Sequence, residues 1–91
     1  MTFIMLGKYT IDGLKNASKE RTKKAIKIIE KNNGKLNSIY TLLGEYDIIL
    51  NTDFPDIKDA MKSSIELTKL TNIAFTTMPA ISVEEFDNLI D

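Results

Sequence analysis

Apolar residues along the chain fall into short alternating runs and two longer periodic ones. Phe3 to Tyr9 is short, apolar and bounded by turn-prone residues, which predicts a strand. Thr10 to Leu14 then reads as a turn or a single helical turn. Ser18 suits an N-cap, and Lys19 to Asn33 predicts a helix with Thr22, Ala25, Ile26 and Ile29 at the spacing of one face. Asn33-Gly34 ends it, with Gly34 expected in the left-handed cap conformation. Lys35 to Leu43 and Tyr46 to Thr52 predict two strands joined by Gly44-Glu45 as a two-residue turn, Gly44 taking the positive φ. Asp53-Phe54-Pro55-Asp56 is a helix-entry signal with Pro55 in the first turn. The helix that follows is expected to place Ile57, Ala60, Met61, Ser64, Ile65 and Thr68 on its packed face. Asn72 to Met78 predicts a last strand, broken by Pro79-Ala80-Ile81. Ser82 and Glu85 then have capping-box spacing, and a short terminal helix carries Val83, Phe86, Leu89 and Ile90.

This order predicts an α+β fold over residues 1–91: a ferredoxin-like βαββαβ sandwich with a short C-terminal helix and both crossover helices on one side of the sheet. The hairpin register predicts which residues share a face, because directly opposed residues point the same way. Ile39, Thr41, Leu43, Tyr46, Ile48 and Leu50 are expected beneath the helices. Leu36, Ser38, Tyr40, Leu42, Asp47, Ile49 and Asn51 are expected on the open side. An exposed face this apolar marks an interface. The expectation is a homo-oligomer that packs two sheets into a dimeric α/β barrel, with Tyr40, Asp47 and Asn51 lining an internal cavity.

The chain has 91 residues, enough for one core. It has neither cysteine nor histidine, which removes disulfides, thiolate chemistry, the usual neutral-pH base and the commonest metal ligands. Asp53 and Asp56 read as helix-entry residues, with no third carboxylate to complete a metal site. No cofactor is called for. Residues 1–40 carry nine Lys/Arg against three acids, a net +6; residues 41–91 carry three against ten, a net −7. The basic half reads as a solvated helix face, the alternative being a basic binding face. No apolar run reaches the roughly 20 residues of a membrane span. The N-terminus has no basic region before its apolar stretch, so the expected location is cytoplasmic. Nucleic acid is not an expected partner: Tyr46 to Asn51 offers an acid and aliphatics where RNA-binding sheets carry stacking aromatics.

The run Gly44-Glu45-Tyr46-Asp47, with its apolar strand and Pro55-Asp56, resembles the signature of the GYD family. Lys8-Tyr9-Thr10 with Gly13-Leu14, Arg21, Gly34-Lys35-Leu36, and Pro79-Ala80 with Glu84-Glu85-Phe86 extend the resemblance along nearly the whole chain. Thr71-Asn72 stands where the family's turn has glycine. The resemblance implies a ferredoxin-like domain assembling as a dimeric α/β barrel. The hairpin is also similar to that of Lrp/AsnC-type ligand-binding domains. No reaction is implied.

Asp47 is the one candidate catalytic residue, the alternative being a hydrogen bond to nearby backbone or a partner subunit. Glu45 falls at the turn tip. Arg21 is a candidate grip for a carboxylate or phosphate, against an ion pair as the alternative. Tyr9, Tyr40 and Asn51 complete the candidate ligand-binding set. The expected function is binding of a small organic ligand in a regulatory or carrier role, in a cavity at a sheet–sheet or sheet–helix interface. The alternatives are a cofactor-independent isomerase or monooxygenase using Asp47, Tyr40 or Arg21, and a purely structural oligomerisation module.

Overall fold

In the computed structural model, which covers Met1–Asp91, the elements run β1 (Thr2–Lys8), α1 (Ile11–Lys15), α2 (Lys19–Lys31), β2 (Lys35–Thr41), β3 (Ile48–Asp53), α3 (Ile57–Thr71), β4 (Ala74–Ala80) and α4 (Val83–Ile90). The four strands form one sheet in the order β2-β3-β1-β4, every neighbouring pair antiparallel. The crossover through α2 leaves a slot beside β1 that β3 fills, and the crossover through α3 leaves one beside β3 that β1 fills. Alternation in β1 sends Phe3 and Met5 to the helix side, where they join Leu50, Phe54, Ile29, Ala60 and Leu67 in the core.

Local hydrogen bonds set the helix starts. The hydroxyls of Thr10, Ser18 and Ser82 accept from the N–H groups of Gly13, Arg21 and Glu85 at 2.8, 3.0 and 3.1 Å. The carboxylate of Asp56 accepts from Lys58 N–H at 2.9 Å, so Pro55 precedes the cap instead of lying in the first turn. Asp53 is the last residue of β3 and takes no part in the helix entry. Glu85 returns no side-chain bond to Ser82, leaving the capping box half made.

Several expectations are corrected. Asn33 (φ 66°), not Gly34, takes the left-handed conformation after α2. Gly34 is small for another reason: a Cβ there would lie 2.3 Å from the Phe54 ring. Asn72 (φ 58°) caps α3 in the left-handed region. The glycine expected at this turn is not needed, because a short amide side chain tolerates that conformation. β4 runs through Pro79 to Ala80, and Pro79 is accommodated because β4 is an edge strand.

The hairpin keeps the expected register at Tyr40↔Ile49 and Ser38↔Asn51, but a bulge falls between Leu36 and Ser38. Asn37 is the extra residue. It shifts the phase of the strand, so Leu36 pairs with Thr52 and packs against the core instead of facing outward. Strand pairing stops at Thr41↔Ile48, and Leu42–Asp47 is a wider bend than the expected two-residue turn. Leu43 is fully exposed there, not beneath the helices.

The packed face of α3 is also turned. Ala60, Ser63, Leu67 and Thr71 are the buried residues, about one residue step, or 100°, from the expected stripe. Ala60 and Ser63 are small enough to bring the helix axis close to the sheet. Ile57, Met61 and Ile65 are consequently left 53, 60 and 52 % exposed.

Candidate functional site

The inner face of α2 begins with small residues. Ala17, Ser18, Thr22 and Ala25 leave a space between the helix and the sheet that larger side chains fill only from Ile28 onward. The result is a cleft of about 610 Å³, open to solvent and floored by sheet residues including Ile39, Ile48 and Phe75. Leu67 and Thr71 close it from α3. Its volume lies in the range of small-molecule sites, roughly 300–1,000 Å³.

Arg21 and Lys19 are the cations that line this cleft, and Tyr9 lines it from the end of β1. One Arg21 guanidinium N–H donates to the backbone carbonyl of Gly13. The other guanidinium donors have no protein acceptor, and Arg21 is in neither of the chain's two salt bridges, Lys23–Glu20 and Lys31–Glu66. The expected alternative, an ion pair, is therefore not made within the chain. The lining has no carboxylate.

The open side of the sheet holds the other candidates. Reading across the strands, Thr76, Leu6, Ile49 and Tyr40 form one row, and Met78, Ile4, Asn51 and Ser38 the next. Tyr40 is well exposed. The Oδ1 of Asn51 is shielded and has no hydrogen-bond partner. Tyr40 and Asn51 thus lie across the sheet from Arg21 and Tyr9, and the fifth predicted ligand residue, Asp47, joins neither pair.

Asp47 lies at the hairpin end. Its Oδ2 accepts from Tyr9 N–H at 2.7 Å, its own N–H donates to Gly7 at 2.9 Å, and its carbonyl accepts from Leu42 N–H at 2.7 Å. One residue thereby fastens the bend to both β1 and β2. Beside it, the Lys8 ammonium lies 5.3 Å from the centre of the Tyr46 ring. Gly44 has φ +149°, a backbone conformation closed to most side chains. The model of the GYD domain matches residues 3–90. The chain belongs to the GYD domain family. Among curated proteins and solved structures, nothing matches it.

In this GYD domain the signature residues therefore have separable jobs. Gly44 permits the bend, Tyr46 packs under Lys8, and Asp47 clips the bend to the sheet. A second carboxylate does similar work at the opposite end. Asp53 accepts from Asn37 Nδ2 at 2.8 Å and from Thr2 Oγ1 at 3.0 Å, joining β2, β3 and β1. These two bonds, Asn37's first, hold its carboxyl below the usual value. Glu66 on α3 is lowered chiefly by its bond from Lys31 at 2.6 Å and then by Asn32. No group of three or more carboxylates lies close enough to hold a metal ion, and no helix is long and apolar enough to cross a membrane.

Sequence reasoning found Tyr9 and Arg21 and missed the rest of the cleft. The spacing of Thr22 and Ala25 predicts that they belong to the packed stripe of the helix. Their small size was the available signal, since one turn of small residues on an inner face leaves a void unless something larger faces it.

Proposed function

We propose that this GYD domain binds a small organic acid in the cleft beneath α2, in a carrier or regulatory role. The observation that carries the reading is Arg21, a guanidinium with free donors and no carboxylate partner at an apolar cleft. A carboxylate head can pair there bidentately while its hydrocarbon part occupies the cleft. Lys19 adds charge, and the N-terminus of α2 beside Ser18 favours an anion. The lining lacks the carboxylate or imidazole that most often accepts a proton at neutral pH, which favours binding over turnover.

The strand order β2-β3-β1-β4 supports the ferredoxin-like plan. The open face, with Ile4, Leu6 and Ile49 between Tyr40 and Met78, supports a homo-oligomer in which two sheets pack as a dimeric α/β barrel. Light scattering on the wild type and on Ile49→Lys reads this directly; a wild-type monomer at micromolar concentration removes the assembly from the proposal.

The ligand test is a thermal-shift series with medium-chain carboxylates and the matching alcohols. A ligand at one hundred times its Kd stabilises the folded state by about 2.7 kcal/mol. The acids should raise Tm, the alcohols much less, and Arg21→Ala should abolish the difference. If the acids leave Tm unchanged, or stabilise Arg21→Ala equally, the assignment of this cleft fails.

A further inference from the structure

α4 is an amphipathic helix with nothing to pack on. Val83, Phe86, Leu89 and Ile90 recur at helical spacing, yet no residue of the helix is buried. Phe86 and Leu89 remain 52 and 75 % exposed. A helix of eight residues is too short to be stable in water without a tertiary partner. Its charged residues are all acidic: Glu84, Glu85 and Asp87, with Asp91 next in the chain.

The same chain carries a complementary surface. Ile57, Met61 and Ile65 form an apolar stripe on the outer side of α3. Next to that stripe, a groove of about 220 Å³ between α3 and β4 is lined by Phe3, Ile57, Ala60, Met61 and Pro79, among others. Lys58, Lys62 and Lys69 share the adjoining strip of the helix, and Glu66, one residue after Ile65, is engaged by Lys31 at 2.6 Å. At 1.5 Å per residue, Ile57 to Ile65 covers about 12 Å of helix axis and Val83 to Ile90 about 10 Å. The two stripes agree in length and are bordered by opposite charges.

No residue of α4 lines that groove within its own chain. α4 belongs to none of the packed element pairs. Only Ile81 and Ser82 separate it from β4, and Ser82 is extended (φ −67°, ψ 156°) with its hydroxyl fixed in the cap. We infer that α4 of one copy docks in the α3–β4 groove of a second copy, acids against lysines. This contact is distinct from both the open sheet face and the cleft beneath α2. Reciprocal exchange closes a two-fold pair.

Because the chain has no cysteine, single cysteines report this contact cleanly. Met61→Cys and Leu89→Cys are both at exposed positions, and circular dichroism verifies that each variant folds. The two proteins are mixed at micromolar concentration and oxidised. A Lys23→Cys plus Leu89→Cys mixture sets the background, since Lys23 lies on α2. The expected result is a 61–89 disulfide-linked dimer several-fold above that background, with the excess reduced in high salt as the charge pairing is screened. A yield no higher than background overturns the proposal. So does a doubly substituted chain that closes its own 61–89 disulfide as a monomer at every concentration, because α4 then folds back on its own groove.

Discussion

If Asp47 is an architectural clip, removing its carboxylate lowers stability whether or not any ligand is present. Asp47→Ala deletes the acceptor of Tyr9 N–H, a bond of 2.7 Å. Hydrogen bonds to charged groups contribute roughly 1.5–3 kcal/mol. Both partners are half-buried, so water can resolvate them and the lower end applies, about 1.5 kcal/mol. For a chain of this size each kcal/mol moves Tm by about 4–8 °C, giving an expected fall of about 6–12 °C. Asp47→Asn keeps an oxygen that can accept the same N–H, without the charge. Its loss should be about a third as large, about 0.5 kcal/mol, because neutral bonds contribute nearer 1 kcal/mol. Thermal unfolding followed by circular dichroism measures both. Binding of a cleft acid, measured well below either Tm, should remain within about twofold of wild type, since Asp47 does not line the cleft. The reasoning is refuted if Asp47→Ala unfolds at the wild-type temperature. It is equally refuted if Asp47→Asn retains stability while binding collapses, which would make the carboxylate part of the ligand site.

Gly34→Ala should destabilise by about 1–3 kcal/mol through overpacking against the Phe54 ring, outweighing the smaller unfolded-state gain of about 0.4–1 kcal/mol; urea unfolding should show a lowered midpoint, and an unchanged one removes the close-approach argument. The folded pKa of Asp53 is depressed from 3.8, so its contribution is fully present above that value and is lost as pH falls through the lower, folded-state pKa. Urea midpoints taken from pH 5 downward should fall less steeply in Asn37→Ala, which lacks the bond that depresses Asp53 most; parallel curves would show that the bond contributes no linkage.

What could be read from the sequence was whatever short-range chemistry determines. Ser18 and Ser82 as caps, and the Tyr40↔Ile49 register, depend on neighbours a few residues away, and each is in place. The misplacements arise where a distant contact decides. The period of α3 places its apolar residues together but cannot say which are pulled onto the sheet; the small Ala60 and Ser63 won over the larger Ile57 and Met61. Gly44-Glu45 has the composition of a tight turn, yet Asp47's bonds to Gly7 and Tyr9 draw that end of the hairpin toward β1, and the bend widens. Pro79 is a breaker in a central strand and acceptable at an edge, and edge position is a property of the assembled sheet. The cleft was half legible: Arg21 and Tyr9 drew notice by their chemistry, whereas Thr22 and Ala25 contribute by being too small, which only a facing wall makes visible.

The bulge at Asn37 carries a consequence for how this chain can tolerate insertions and deletions. Leu36 and Tyr40 are an even number of residues apart, and in an unbroken strand they would share a face. The extra residue lets one serve the core while the other faces outward. Losing Asn37 would force a choice: either Leu36 leaves the core, or Ser38 and Tyr40 turn inward and the open face loses its β2 residues. A one-residue length change between Lys35 and Ser38 should therefore be tolerated poorly. The same change in the bend around Gly44, which lies between register-fixed segments and in open space, should be absorbed more readily. Chain length in this protein is constrained by phase, and the constraint falls most heavily on one asparagine that contributes nothing to the core.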